Sequence, residues 1–285
     1  MGEEEQLVAL DSNGSTMSMR IQTYNSERNN WDSKKLPEIW NDRRSFGVTL
    51  ISSTMIFAGG YIFNSTPTNE VLCLNLQTMK FYENAPMLQS RIHFPLLEFK
   101  DELYAIGGLV NDQWSVLVEK YNFSTGKWKA VSSLRSLMKF PSAAVLDGYL
   151  YAIGQFAPLM ECYDPSTNLW TRKAAPNSKL QYVSIIGFEG FLYAICRGYS
   201  NSICTINFER YDPSKNIWEI KQSPLFGEKC TVLRNRLFCC GLNESNESKE
   251  KEYIVEEYNV EADEWILFTS LTSMQGVYSV FTLQK

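Results

Sequence analysis

Seven-residue apolar runs return along the chain, and the first ones end in small residues: TMIFAGG (Thr54–Gly60), ELYAIGG (Glu102–Gly108), YLYAIGQ (Tyr149–Gln155), FLYAICR (Phe191–Arg197) and RLFCCGL (Arg236–Leu242). Their length and their aromatic and branched content predict short buried strands. A second pattern keeps step with the first. It is a tyrosine, six mostly polar residues rich in turn formers, and a tryptophan. YNSERNNW begins at Tyr24, YNFSTGKW at Tyr121, YDPSTNLW at Tyr163, YDPSKNIW at Tyr211 and YNVEADEW at Tyr258. LNLQTMKF, from Leu74 to Phe81, is a degraded sixth copy. The first positions lie 50, 47, 42, 48 and 47 residues apart. A period of this length predicts a solenoid or a propeller.

Each repeat reads as four short strands. In the third they are expected at His93–Glu98, Leu103–Gly107, Val116–Asn122 and Lys127–Val131, with turns carrying D-G, D-P, T-G and S-T-N. The tyrosine ends the third strand, the polar run turns the chain, and the tryptophan enters the fourth. Two large aromatics in fixed register can fill the wedge between neighbouring sheets. The ends complete the pattern. Before the first Tyr–Trp unit there is one apolar segment, LVAL (Leu7–Leu10). After the last comes GVYSVFTL (Gly276–Leu283), which resembles the first strands FGVTLIS (Phe46–Ser52) and FPSAAVL (Phe140–Leu146). The expected fold is therefore all-β: six blades of four antiparallel strands, with the C-terminal strand completing blade one and closing the ring. The single domain 1–285 divides into blocks 1–40 plus 272–285, 41–86, 87–133, 134–176, 177–223 and 224–271.

Composition narrows the function. Of 285 residues, 44% are apolar and 21% charged, enough apolar material for a sizeable core. A net charge of −5 argues against a duplex-binding surface. No apolar run is long enough to span a bilayer. The start, MGEEEQLVAL, is acidic before it is apolar, the wrong order for a secretory signal. Gln6 stands where myristoylation favours Ser or Thr. Seven cysteines, an odd number without CxxC, suit reduced thiols in a cytoplasmic protein. The five N-x-S/T sites then read as chance matches. One histidine, His93, gives little support to a metal centre or a Ser–His–Asp arrangement. No nucleophile elbow, phosphate loop or dinucleotide fingerprint is present. Neither catalysis nor a cofactor is expected. Cys230 follows Glu228–Lys229, so either the cation activates its thiol or the thiol is buried in the next strand.

The paired Gly–Gly, the downstream Tyr and the Trp beyond it resemble the kelch repeat over nearly the whole chain. E-K-Y-N…W (Glu119–Trp128) and E-R-Y-D-P…W (Glu209–Trp218) are most similar to the kelch domains of BTB–BACK–kelch proteins. The resemblance implies a six-bladed propeller that captures a protein target. It further implies the substrate-recognition module of a cullin-3 ubiquitin ligase adaptor or, alternatively, a cytoskeletal or actin-associated scaffold. Cullin-3 would be reached through a BTB region that this sequence lacks. The later repeats depart from the pattern: Gln155, Cys196 with Arg197, and Cys240 replace diagnostic glycines.

Recognition is expected on loops held by the rigid ring. Five of the six inter-blade connections carry a basic residue: Arg43, Arg44, Arg91, Arg135, Lys139, Lys179 and Lys229 are the candidates. They form either one basic mouth suited to an acidic peptide or scattered solvated charges. The family member that binds acidic turn peptides uses arginines and serines in such loops. Arg43, Arg44 and Arg91 lie in comparable connections, whereas later blades offer Lys or apolar residues. Trp114 and Tyr199, in loops after second strands, are the expected aromatic contacts, unless each packs into its own loop.

Overall fold

In the computed structural model of the chain, the Tyr–Trp spacing is the register of a hairpin. Tyr24 lies opposite Trp31, Tyr121 opposite Trp128, Tyr163 opposite Trp170, Tyr211 opposite Trp218 and Tyr258 opposite Trp265. Leu74 and Phe81 occupy the same places in the degraded copy. The turn chemistry is local. The Asn or Asp after each first position accepts turn amides: Asn25 from Glu27 and Arg28, Asp212 from Ser214 and Lys215, Asn259 from Glu261 and Ala262. The residue two before each aromatic is left-handed, at Asn29, Met79, Gly126, Asn168, Asn216 and Asp263. Five of these six are Asn, Asp or Gly, which tolerate that conformation best.

The structure describes residues 5–13, 18–36, 43–62, 66–155, 159–178, 182–200, 203–243, 251–273 and 276–284. They form six four-stranded antiparallel sheets and two small two-stranded ones. Blade one runs Gly276–Gln284, Glu5–Asn13, Ser18–Asn25, Asn30–Lys35 in spatial order. The C-terminal strand pairs with the N-terminal one from Gln284 opposite Glu5 to Gly276 opposite Ser12. Its inner neighbours are the first strands of blades two and six. First strands touch in sequence around the axis: Gly47–Ile51, Leu96–Phe99, Lys139–Leu146, Tyr182–Phe188, Lys229–Leu233 and back to Gly276–Gln284. The ring is closed.

Apolar burial follows this geometry. Six buried clusters each lie between two neighbouring blades. Between blades five and six, Tyr193, Ile195 and Phe208 pack on Leu237, Cys239 and Tyr258. At the seam, Phe238 and Tyr253 of blade six pack on Leu7, Ala9, Val277 and Val280 of blade one. The tryptophans also bind the preceding blade through hydrogen bonds. The indole N–H of Trp128 donates to the Ala85 carbonyl at 2.8 Å, Trp170 to Ser132 at 2.9 Å, Trp218 to Ala174 at 2.8 Å and Trp265 to Gln222 at 2.8 Å. Trp31 differs: its indole nitrogen is buried without an acceptor. Other groups hold the seam. Arg20 and Gln22 both donate to the Thr272 carbonyl at 2.8 Å, and both grip the fully buried Asp11 carboxylate.

The glycine pattern explains where blades differ. In blades two and three the Gly–Gly pairs are left-handed, and a Cβ on Gly60 would lie 2.7 Å from the Arg44 carbonyl oxygen. The backbone turns out of the sheet there and makes the small hairpins Tyr61–Ile62 with Thr66–Pro67 and Leu109–Val110 with Gln113–Trp114. In blade five, Cys196 and Arg197 cannot turn so cheaply and pairing continues. Phe191–Ser200 and Ile203–Asp212 form a ten-residue hairpin. His93, expected in a strand, instead has a left-handed backbone, and its blade's first strand starts at Leu96. Among the described residues no helix is long and apolar enough to cross a membrane.

Deleting residues 276–285 removes the inner strand of blade one and opens two inter-blade interfaces. The expected outcome is loss of the cooperative urea transition, read by tryptophan fluorescence. Gly241→Ala should also destabilise strongly, because its Cβ would fall 1.1 Å from the Phe226 carbonyl oxygen.

Candidate functional site

Inter-blade connections and second-strand loops meet at one end of the ring. Arg44 bridges to Tyr61 and Ile92 to Leu109, each joining a connection to the loop of its own blade. Neighbouring blades are also tied there. The His93 amide donates to the Ser45 carbonyl at 2.8 Å and the Gly60 amide to the Arg91 carbonyl at 2.9 Å.

A buried glutamate beneath this face holds each connection of blades three to six. These residues are Glu119, Glu161, Glu209 and Glu256, each two positions before the blade's tyrosine. Glu119 accepts the Leu88 amide at 2.6 Å and Glu161 the Arg135 amide at 2.8 Å. Glu209 accepts the Asn177 and Ser178 amides, both at 2.8 Å, and Glu256 those of Leu225 and Phe226. Charge-assisted bonds to backbone donors fix the loop path whatever side chains the loop carries. The sequence signal was present in E-K-Y, E-C-Y, E-R-Y and E-E-Y, but nothing in it distinguishes a buried carboxylate from a surface one.

The predicted site residues separate into several groups. Arg44 and Lys139 are exposed, as is Arg135. Arg43 is half-buried and ion-paired with Glu70. Lys229 is half-buried, and desolvation pushes its amine below the ordinary lysine value. Arg91 requires a correction: it is 0% exposed and is not part of the surface. Its guanidinium points inward, donating to the carbonyls of Gly107 at 2.5 Å and Leu117 at 2.9 Å and to Glu119 at 2.6 Å. Its carbonyl and amide are already engaged by blade two, which turns the side chain under the loop. Tyr199 pairs its backbone with Cys204, but its side chain lies outside the described residues, as does the whole of Lys179. The positive charge at this end is therefore smaller than the loop sequences suggest. Arg43, Arg91 and Arg197 face Glu70, Glu119 and Glu228 respectively.

An aromatic cluster, rather than a ring of arginines, joins adjacent blades on the face. Trp114 and Phe140 have ring centroids 4.6 Å apart, and His93 packs on Phe140 at 5.0 Å and on Trp114 at 6.4 Å. Trp114 is half-buried and Lys139 adjoins Phe140. Burial lowers the His93 imidazole pKa below 6.5, so the neutral ring is favoured. Sequence reading singled out Trp114 but not its partners, because the contact joins two repeats. The opposite end has a different character. A cavity of about 600 Å³ opens among the first-to-second-strand turns, lined by Ser52, Asp101, Phe123, Arg234, Asn235 and Thr282. Among the described residues no group of three or more His, Cys, Asp or Glu side chains is placed to hold a metal ion.

The family model for the Kelch motif matches residues 90–135, the end of one connection and all four strands of blade three. This chain is a kelch-repeat β-propeller. The kelch propeller is similar to Kelch repeat and BTB domain-containing protein 2 of Ectromelia virus (strain Moscow), with 30% identity over 148 residues, 52% of this chain and 26% of the relative. It is also similar to Kelch-like protein 33 of Homo sapiens, with 31% identity over 113 residues, 39% of this chain and 21% of the relative. Kelch repeat protein C2 of Vaccinia virus (strain Western Reserve) shares 42% identity over 52 residues, 18% of this chain and 10% of the relative. The matched part spans about a quarter of the length of the Ectromelia protein.

The kelch propeller is a protein-interaction fold, and two outcomes separate its scaffold from its surface. Arg91→Ala leaves a buried carboxylate and two carbonyls without their partner, so it should lower unfolding free energy by about 3–5 kcal/mol in urea titrations. A surface arginine would cost little. His93 holds fewer protons when folded than when unfolded, so its contribution to stability is present above pH 6.5 and declines as pH falls below it. His93→Asn, which suits the left-handed backbone, should flatten that part of the stability–pH profile.

Proposed function

We propose that the kelch propeller captures a protein or peptide target on the face built by its inter-blade connections and second-strand loops. The observation that carries this reading is the Trp114–Phe140–His93 cluster, which spans two blades at that face beside Lys139. A half-buried tryptophan in a rigid surround is the kind of group that dominates binding energy. Arg44, exposed on the connection into blade two, and Arg135 and Lys139, exposed on the connection into blade four, favour a target with acidic residues flanking an apolar anchor. Arg43 and Lys229 border the same face, and Lys179 and Tyr199 belong to its remaining loops by sequence position.

In a longer parent protein this domain would act as the substrate-recognition module of a cullin-3 ubiquitin ligase adaptor. Support comes from the names of the similar poxvirus proteins, which join kelch repeats to a BTB domain. The propeller itself needs no cofactor for this role, and cullin-3 would be met by the BTB region.

The test has two arms. With target segments identified by affinity capture, Trp114→Ala should weaken binding by about 2 kcal/mol, roughly thirtyfold, with folding unchanged. Arg44→Ala with Lys139→Ala should weaken it less and reduce its salt dependence. Equal binding by all three proteins removes the proposed face. A BTB-containing parent should co-precipitate cullin-3 where the isolated propeller does not; failure of that arm alone removes the ligase role and leaves the face.

A further inference from the structure

Two cysteines of blade six face one another across its two innermost strands. These strands, Lys229–Leu233 and Arg236–Leu242, are joined by Arg234 and Asn235, both left-handed at φ 50° and 53°. That is a type I′ hairpin, whose flanking pair Leu233–Arg236 exchanges both backbone hydrogen bonds. Alternation along the ladder makes Val232–Leu237 a non-hydrogen-bonded pair, Thr231–Phe238 a hydrogen-bonded one, and Cys230–Cys239 non-hydrogen-bonded again. At such a pair the Cα atoms lie about 4.5 Å apart with side chains on one face. That separation falls within the roughly 4.4–6.8 Å a disulfide spans.

Side-chain surroundings agree with the register. Cys239 and Cys230 both pack in the cluster shared with blade five, and the Cys239 thiol hydrogen-bonds to Cys230. Cys240 points the other way, into the seam with blade one. Cys230 is partly buried, whereas Cys239 is fully buried. Cys73, Cys162 and Cys196 are also buried, and none has a cysteine opposite it in its sheet.

We propose that Cys230 and Cys239 form an oxidisable dithiol, a modification site for hydroperoxides at the edge of the recognition face. Cys230, the less buried of the two, attacks one oxygen of hydrogen peroxide. The O–O bond breaks, leaving a sulfenic acid on Cys230 and releasing water. The Cys239 sulfur then displaces the hydroxyl from Cys230, and its proton leaves with that hydroxyl as a second water. Two thiols lose two electrons and two protons in total, and one peroxide is reduced to two waters. Burial raises the Cys239 thiol pKa and keeps it protonated at rest, so Cys230 takes the first step and the Cys239 proton is given up only as the hydroxyl leaves. Closure pins the start of the strand that follows Glu228, whose carboxylate pairs with Arg197 of blade five.

The test treats the folded full chain with hydrogen peroxide, blocks remaining thiols by alkylation and maps tryptic peptides without reduction. The expected product joins Cys230–Arg234 to Leu237–Lys249, with fragmentation assigning the bond to Cys239 rather than Cys240. It should be reversed by a dithiol reductant and be absent from the variant Cys230→Ser. Any of three results overturns the proposal: Cys230 fully alkylated after treatment, a bond to Cys240, or links formed only between molecules. Because the measurement is made on the unaltered protein, it does not depend on a core variant folding.

Discussion

The pairing of Gly276–Gln284 with Glu5–Asn13 is the constraint on which the propeller rests. Each blade buries its two faces against its neighbours, so no blade has a complete core of its own. An open row of blades would leave one apolar face bare at each end. Sharing blade one between the two ends of the chain removes both bare faces at once. It also makes stability a property of the circle, since the closing contact joins residues more than 260 positions apart. The seam is chemically distinct. Where four other junctions use an indole donor, this one uses Asp11, Arg20 and Gln22 around the Thr272 carbonyl. Arg20 lies directly opposite Asp11 on paired strands, so the carboxylate is compensated within its own blade before the seam forms.

A division of labour runs through blades three to six. At one end, hairpin turns place tryptophans into the wedges. At the other, buried glutamates collect amides from the connections. Backbone amides are the donors common to these carboxylates, so connections of unrelated sequence are both held, at Asn177 and Ser178 with an added bond from the Asn177 side chain and at Leu225 and Phe226 by amides. Blade three is the exception that carries a paired cation. Arg91 joins Glu119 there, which adds side-chain bonds to the Gly107 and Leu117 carbonyls at a junction with left-handed glycines.

The fold was legible because its signals are local and repeated. Tyr–Trp spacing is a hairpin register, and the strand-like C-terminus fits the one vacancy in the pattern. Even the degraded copy kept Leu74 and Phe81 apolar, which is what the interface requires. The site was less legible because it depends on relations between repeats. A basic residue in a connection reads the same whether it points outward, as Arg44 does, or beneath the loop, as Arg91 does. His93 and Phe140 lie 47 positions apart, and only the ring brings them together with Trp114. The loss of glycine in later repeats was visible, but its consequence was not: with no residue able to turn cheaply, a strand continues pairing.

That last difference gives the rim an angular signature. Blades two and three fold their upper loops into small hairpins, whereas blade five carries a continuous ladder of nine residue pairs. A sixfold rotor with identical teeth would accept a ligand in six equivalent orientations. Here the aromatic cluster of blades three and four and the continuous hairpin of blade five occupy different sectors, so rotation about the axis is not degenerate. The sixfold repeat of the scaffold is thus not carried into its rim.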